Sequence, residues 1–175
     1  MKTIIAMVFT MSLLASGSSG AAALELHVKK SVTIAAPADK VWDAVKNFNE
    51  LNTWHPAVAS DEIVSGTSNV PGAVRLLTLK GGGTIKEKLL EFDATGHRFR
   101  YAIVEGVLPV THYTSNLVVT SLANDKTLVT WSGRFKRKNV GDTPADNEND
   151  TAATDAISGV YQSGLDNLKK IVAAK

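Results

Sequence analysis

The residue of this sequence best placed to do chemistry is a carboxylate on an apolar strand face. Ile85 and Leu89 lie on the same side as Glu87, because side chains two residues apart in a strand point to the same face. In an apolar pocket such a carboxylate could orient a ligand or act as a general base with a raised pKa. It could equally be satisfied by Arg75 or Tyr113 in a buried network. Both interpretations stay open from the sequence.

The alternation in neighbouring strands predicts which side chains surround this carboxylate. Aromatic, hydroxyl and aliphatic groups fall on the inner face of these strands, which is the face that a packed helix would cover. The cavity candidates from the strands are Tyr101, Tyr113, Ser115, Trp131, Leu79 and Ala59. This set predicts a mostly apolar pocket with a few polar groups, the usual composition of a small-molecule site. We assign no catalytic residue.

A long helix near the C-terminus must cover that face. Over residues 151–174 apolar side chains recur at three- and four-residue steps, which is typical of an α-helix with one buried stripe. Acidic residues precede its first turn and lysines occupy its last turn, the order that the helix dipole favours. Gly159 and Gly164 interrupt the stripe around Tyr161, another cavity candidate. The glycines either admit close contact with the sheet or leave room for a ligand beneath Tyr161.

The rest of the chain reads mainly as strands. One strand precedes Pro37, two short helices follow it, and six further alternating segments lie between residues 58 and 138. Their connections are short and rich in turn residues, so neighbouring strands must be antiparallel. This order predicts an α+β helix-grip fold, in which a seven-stranded antiparallel sheet wraps around the long C-terminal helix, with two short helices after strand 1.

The first 23 residues predict a cleavable secretory signal peptide, followed by one domain over residues 24–175. Lys2 precedes a mostly apolar run over residues 4–14, and small residues at 21–23 suit a cleavage site. The run is too short to span a bilayer comfortably, and no later segment approaches about 20 apolar residues. An uncleaved anchor is the minor alternative. An exported chain without cysteine suits a bacterial periplasm.

Composition and spacing also exclude several functions. Lysine and arginine total 19 against 17 acidic residues, and this near-balance argues against nucleic acid or an anionic membrane as the main partner. The absence of cysteine removes thiol catalysis and cysteine–zinc sites, and the four histidines show no ligand spacing, so we predict no metal site and no cofactor. His55 could be an acid or base, but a capping or surface role is favoured. The glycines at 81–83 join two strands, so they form a turn rather than a phosphate loop.

Several motifs resemble known families. Residues 31–42, Phe48 and the Trp-His-Pro run at 54–56 resemble the opening of the START-like (Bet v 1-like, SRPBCC) superfamily, which includes polyketide cyclases, lipid-transfer domains and plant hormone receptors. Residues 77–83, 107–115 and 159–169 resemble the periplasmic MxaD-like methanol-oxidation accessory proteins. The first resemblance implies the helix-grip fold but no single activity, because this superfamily hosts many functions.

The resemblance also implies roles for particular positions. In the plant hormone receptors, residues matching Glu87, Tyr113 and Ser115 contact the ligand, whereas a ligand-binding lysine falls at Ala59 and a second glutamate at Trp131. An acidic, hormone-like ligand would therefore lose its counter-charge here. By the same resemblance, the glycine turn and the loop carrying Leu108 and Pro109 gate the pocket mouth.

Three functions compete at this point. We expect a non-catalytic periplasmic accessory or binding protein, assisting a periplasmic alcohol dehydrogenase and its cytochrome partner. The alternatives are a carrier of a small hydrophobic ligand or lipid, and a cyclase- or dehydratase-like enzyme that uses Glu87 and Tyr113.

Overall fold

Seven antiparallel strands form one sheet in the order β1-β7-β6-β5-β4-β3-β2. The computed structural model describes residues 23–174. The strands are β1 (Leu26–Ile34), β2 (Val58–Ser65), β3 (Val74–Leu79), β4 (Thr84–Asp93), β5 (Arg98–Gly106), β6 (Val110–Leu122) and β7 (Lys126–Arg137). Strands β2 to β7 pair with their sequence neighbours, and β1 returns to pair with β7.

Three α-helices complete the fold. Two short ones, α1 (Ala38–Val45) and α2 (Leu51–Trp54), follow β1, and the long α3 (Asp150–Ala173) ends the described chain after a single 3-10 turn at Asp146–Glu148. The side chain of Asn149 caps α3 by accepting the N–H of Ala152 at 2.8 Å, which satisfies one of the free donors of the first turn. The predicted helix-grip architecture is confirmed.

The buried stripe of α3 packs against the inner face of the sheet. Its fully buried side chains include Ile157, Tyr161, Leu165 and Leu168. Gly159 lies on the exposed side, and a Cβ there would meet nothing within 4 Å, so it is not part of the stripe. Gly164 is buried, and the space beside it is already filled.

One predicted cavity residue lies on the wrong face. Ala59 is exposed, because β2 carries a β-bulge between Val58 and Ser60 in its pairing with β3. The extra residue shifts the alternation, so Val58 points inward in its place. After the bulge, Asp61 and Ile63 both point inward, as expected for strand residues that are two positions apart.

The predicted signal peptide lies outside the described residues, apart from Ala23. Over residues 23–174 no helix combines the length and the apolar character needed to cross a membrane.

Candidate functional site

A cavity of about 80 Å³ lies between α3, α2 and the sheet. Its walls are mostly aliphatic and include Leu51, Leu77, Leu79, Ile85, Ile103 and Ile157. Four of the lining residues carry polar groups, namely Glu87, Tyr101, Tyr113 and His55, although almost all of the surface that faces the cavity is apolar. A larger depression of about 460 Å³ lies on the protein surface among charged residues, where water competes for every polar contact. The enclosed apolar cavity with converging polar groups is therefore the better candidate site.

The structure brings most of the predicted residues to this cavity. Glu87, Tyr101, Tyr113, Trp131, Leu79 and Leu108 border it. Ser115 and Tyr161 are buried behind this wall, where Tyr161 is hydrogen-bonded to both Ser115 and the hydroxyl group of Tyr113. Pro109 is half-buried beside Leu108 without lining the cavity, and Ala59 is exposed.

Glu87 is the acidic end of a buried ion-pair network. It lies directly opposite Arg75 in the β3–β4 register. Arg75 Nε donates to Glu87 Oε2 at 2.8 Å, and Nη2 forms an ion pair with the same oxygen at 2.6 Å. Its Nη1 donates to the carbonyl of Phe48 at 2.6 Å and to Asp61 Oδ2 at 3.2 Å. The pairing of Glu87 with Arg75, one of the two interpretations left open by the sequence, is therefore present.

Two buried carboxylates share this single guanidinium. Burial raises the pKa of Glu87 and of Asp61, and the nearby Arg75 only partly offsets that effect. Burial acts to lower the pKa of Arg75, but the two carboxylates outweigh it and the pKa is raised, so the guanidinium stays charged. Asp61 also accepts the N–H of Leu51 at 2.9 Å, which ties the second short helix to the network.

Asp61 was not among the sequence candidates, although a signal for it existed. The alternation that places Ile63 inside also places Asp61 inside, two residues earlier. Its side chain is fully buried, and Oδ1 has no hydrogen-bond partner in the described chain.

Behind the cavity wall a cluster of hydroxyl groups meets the indole of Trp131. Trp131 Nε1 donates to both Tyr101 Oη and Ser115 Oγ at 3.0 Å. Tyr161 Oη lies 2.8 Å from Ser115 Oγ and 2.6 Å from Tyr113 Oη. The rings of Trp131 and Tyr161 stack with centroids 4.6 Å apart, which holds the cluster rigidly.

The directions of these hydrogen bonds follow from one fixed acceptor. Ser115 has a single proton, and it donates that proton to the carbonyl of Ser132 at 3.0 Å. Ser115 Oγ must then accept from Tyr161, which leaves the Tyr161 oxygen to accept from Tyr113. The chain of donors therefore runs from Tyr113 to Tyr161 to Ser115, and Tyr113 has only acceptor capacity left for the cavity.

The tyrosines of this cluster remain protonated at neutral pH. Burial raises the pKa of Tyr101 to about 12. It raises the pKa of Tyr113 and Tyr161 well above the ordinary value. Each hydroxyl therefore acts as a hydrogen-bonding group rather than as a base.

We predict that Tyr161→Phe lowers the free energy of unfolding by about 1–2 kcal/mol, because Tyr113 loses its acceptor and Ser115 loses a donor in a buried site. Urea unfolding followed by fluorescence measures the change. Ser31→Ala, which removes an exposed hydroxyl bonded to Thr130, is the control and should change stability by less than about 0.5 kcal/mol. Equal effects of the two variants would contradict the proposed hydroxyl chain.

His55 holds the second short helix against α3. Its Nδ1 accepts the N–H of Ala57 at 3.2 Å, so Nε2 carries the proton and donates to the carbonyl of Val160 at 2.9 Å. Burial lowers its pKa, which keeps the ring neutral. Of the two expected roles, capping is confirmed, because His55 is the C-cap of α2, whereas the surface role is wrong, since only 3% of His55 is accessible. Both ring nitrogens are occupied by structural hydrogen bonds.

The two loops that the resemblance assigns to the mouth touch each other. Gly83 has a φ of 81°, a conformation that favours glycine, and a Cβ there would come within 2.6 Å of Val107 Cγ1. Val107 directly precedes Leu108, which borders the cavity. The glycine turn and the β5–β6 loop thus close together over one side of the cavity.

A metal site finds no support in the residues described. Over residues 23–174 no group of three or more histidine, cysteine, aspartate or glutamate side chains is arranged to hold an ion.

Comparison with known proteins places this architecture in a family. A family model described as polyketide cyclase / dehydrase and lipid transport matches residues 25–173, nearly the whole described chain. The chain belongs to this family.

Individual proteins from distant organisms are also similar to this chain. MLP-like protein 423 of Arabidopsis thaliana is 27% identical over 121 residues, which cover 64% of this chain and 76% of that protein. The structure of XoxI from Bacillus cereus aligns with a TM-score of 0.72 at 29% identity, covering 83% of this chain and 94% of that one. An uncharacterized protein of Bacillus thuringiensis aligns with a TM-score of 0.73 at 29% identity, covering 84% and 98%.

Proposed function

We propose that this family member is a non-catalytic binding protein for a small, mostly apolar ligand, which it holds in the cavity beside Glu87. The observation that carries this proposal is an enclosed, largely aliphatic cavity with a few polar groups converging on it. Such cavities are the usual form of small-molecule sites. The family description, which includes lipid transport, agrees with a hydrophobic ligand.

The polar groups around the cavity favour binding over catalysis. The tyrosine hydroxyls stay protonated, and both nitrogens of His55 are engaged in hydrogen bonds. Glu87 is tied through Oε2 to Arg75, which holds the carboxylate in place. These groups are arranged to orient a ligand, and no nucleophile is activated among them.

Ligand binding can be tested with a variant that fills the cavity. Ile103 borders the cavity, whereas its neighbour Val104 points outward and is 54% exposed. We expect small apolar probes such as 1-propanol to shift the NMR signals of cavity residues in the wild type and in Val104→Phe, but not in Ile103→Phe. Native mass spectrometry of gently purified protein provides a second readout. Unchanged spectra with added probes, together with no co-purifying ligand, would contradict the proposal.

We further propose that the protein is exported and works in the periplasm as an accessory to alcohol oxidation. Support comes from the signal-like segment 1–23 and the motifs at 77–83, 107–115 and 159–169 that resemble MxaD-like proteins. The expected partner is a periplasmic dehydrogenase or its cytochrome.

Cell fractionation and N-terminal sequencing test the location, with Leu24 expected as the first residue of the mature chain. Purified protein should bind a periplasmic methanol dehydrogenase or quicken its electron transfer to cytochrome. Retention in the cytoplasm would contradict the proposed export, and no effect on the dehydrogenase would contradict the accessory role.

A further inference from the structure

We propose that the cavity selects ligands carrying a protonated amine, whose hydrogen bonds are received by Glu87 Oε1 and Tyr113 Oη. The inference rests on the proposed function, since it requires that the cavity takes a ligand, and it names the chemical class of that ligand as a short-chain alkylammonium ion.

The first argument is a free carboxylate oxygen. The hydrogen bond from Arg75 Nε and the ion pair with Nη2 both involve Oε2, and no hydrogen bond from residues 23–174 reaches Oε1. Glu87 is only 4% exposed, yet it borders the cavity. A donor placed in the cavity could therefore form a hydrogen bond to Oε1.

The second argument is the balance of charge. One guanidinium, Arg75, faces two carboxylates, Glu87 and Asp61. The other titratable groups around the cavity do not change this sum, because the tyrosines stay protonated and His55 is neutral. With both carboxylates ionised the network carries one surplus negative charge, and the raised pKa values of Glu87 and Asp61 show that this state favours uptake of a positive charge, which a ligand cation would supply as well as a proton.

The third argument is the direction of the hydroxyl chain. Tyr113 donates its proton to Tyr161, so it can offer only lone pairs to the cavity. An ammonium group, which has three donors and no acceptor, matches Glu87 Oε1 and Tyr113 Oη. A carboxylate ligand would meet two acceptors and a like charge. Tyr101 keeps its own proton, so a neutral alcohol can also be held, although it leaves the charge unbalanced.

The size of the cavity limits the alkyl group. An apolar cavity of about 150 Å³ accommodates benzene, so about 80 Å³ suits a chain of roughly three carbons with its amine. At a ceiling of about 1.5 kcal/mol per heavy atom, such a ligand binds no tighter than tens of micromolar, and millimolar affinity is the ordinary expectation.

The decisive experiment compares three probes, each with three carbon atoms, on the wild-type protein at pH 7. Propylammonium, 1-propanol and propionate are titrated into the 15N-labelled protein, and the indole N–H of Trp131 and the amides of β4 and β6 are followed. We expect propylammonium to bind at least about tenfold tighter than 1-propanol, and propionate to bind weakest. Equal binding of propylammonium and 1-propanol, or tighter binding of propionate, would overturn the inference and leave the proposed function standing. No binding by any probe would overturn both.

A variant at the carboxylate gives an independent readout. Glu87→Gln keeps the size of the side chain but removes its charge, so propylammonium should bind at least about tenfold more weakly while 1-propanol changes little. Glu62→Gln, which neutralises an exposed carboxylate on β2, is the matched control and should behave as the wild type. Unchanged propylammonium affinity in a folded Glu87→Gln protein would overturn the inference. If this variant does not fold, the three-probe comparison on the wild type decides alone.

Discussion

Replacing Arg75 with methionine is expected to lower the free energy of unfolding by about 3–5 kcal/mol, because the variant leaves two buried carboxylates without a counter-charge. Arg75 is 2% exposed, and its guanidinium also bonds the Phe48 carbonyl and lies 4.2 Å over the Phe48 ring. The substitution therefore removes stabilising contacts of the segment between the short helices as well as those of the sheet. Urea unfolding at pH 7 measures the change.

Neutralising the carboxylates provides the control. Adding Asp61→Asn and Glu87→Gln to the Arg75→Met protein should recover at least about 2 kcal/mol, because no buried charge then remains. Lowering the pH should also recover part of the free energy of unfolding, because it protonates the two carboxylates. The folded-state pKa values of Asp61 and Glu87 are raised, so the folded state binds more protons and stability falls as the pH rises above about 4. This fall should be steeper in Arg75→Met, and a pH-independent deficit would contradict the electrostatic explanation.

Gly164→Leu is expected to lower the free energy of unfolding by about 3 kcal/mol, the upper end of the usual cost of overpacking, because the leucine side chain forces its neighbours in a filled core aside. An added Cβ would meet His55 Cδ2 at 2.6 Å and Trp131 Cζ3 at 2.9 Å. His55 cannot move without losing its bonds to Val160 and Ala57. The close approach of α3 to its neighbours, rather than room for a ligand, accounts for this glycine.

Gly159 offers a matched control on the same helix. It lies on the exposed side with nothing within 4 Å of an added Cβ, so Gly159→Leu should raise stability by somewhat less than about 1 kcal/mol through helix propensity. Thermal or urea unfolding of both variants separates packing from propensity. A Gly164→Leu protein as stable as Gly159→Leu would contradict the packing at His55 and Trp131.

The fold could be predicted from the sequence because its signals are local and periodic. The alternation along β4 to β7 fixed the inner face correctly, including Glu87, Tyr113 and Trp131, and the three- and four-residue steps marked α3 within one residue of its observed bounds. The prediction that Ala59 lines the cavity is wrong because a β-bulge is a property of strand pairing, which alternation within one strand does not reveal.

The site could be predicted only in part. Arg75 and Glu87 were possible partners because both lie on inner faces, but the sequence could not choose between Arg75 and Tyr113. The order of the hydroxyl chain depends on where Ser115 meets the Ser132 carbonyl, and that position exists only after the sheet and α3 have packed. The burial of His55 depends in the same way on Gly164, because a Cβ there would meet the imidazole, and the sequence left open whether this glycine serves close packing or a ligand.

The most direct test of the central claim is to locate a bound ligand inside the protein. We predict nuclear Overhauser contacts between a small probe, 1-propanol or propylammonium, and the methyl groups of Ile85, Ile103 and Ile157 in methyl-labelled protein. Those three side chains meet at the cavity and come from two strands and α3. Contacts only with exposed methyl groups such as those of Val104 or Val64, or no contacts at saturating probe, would contradict the account.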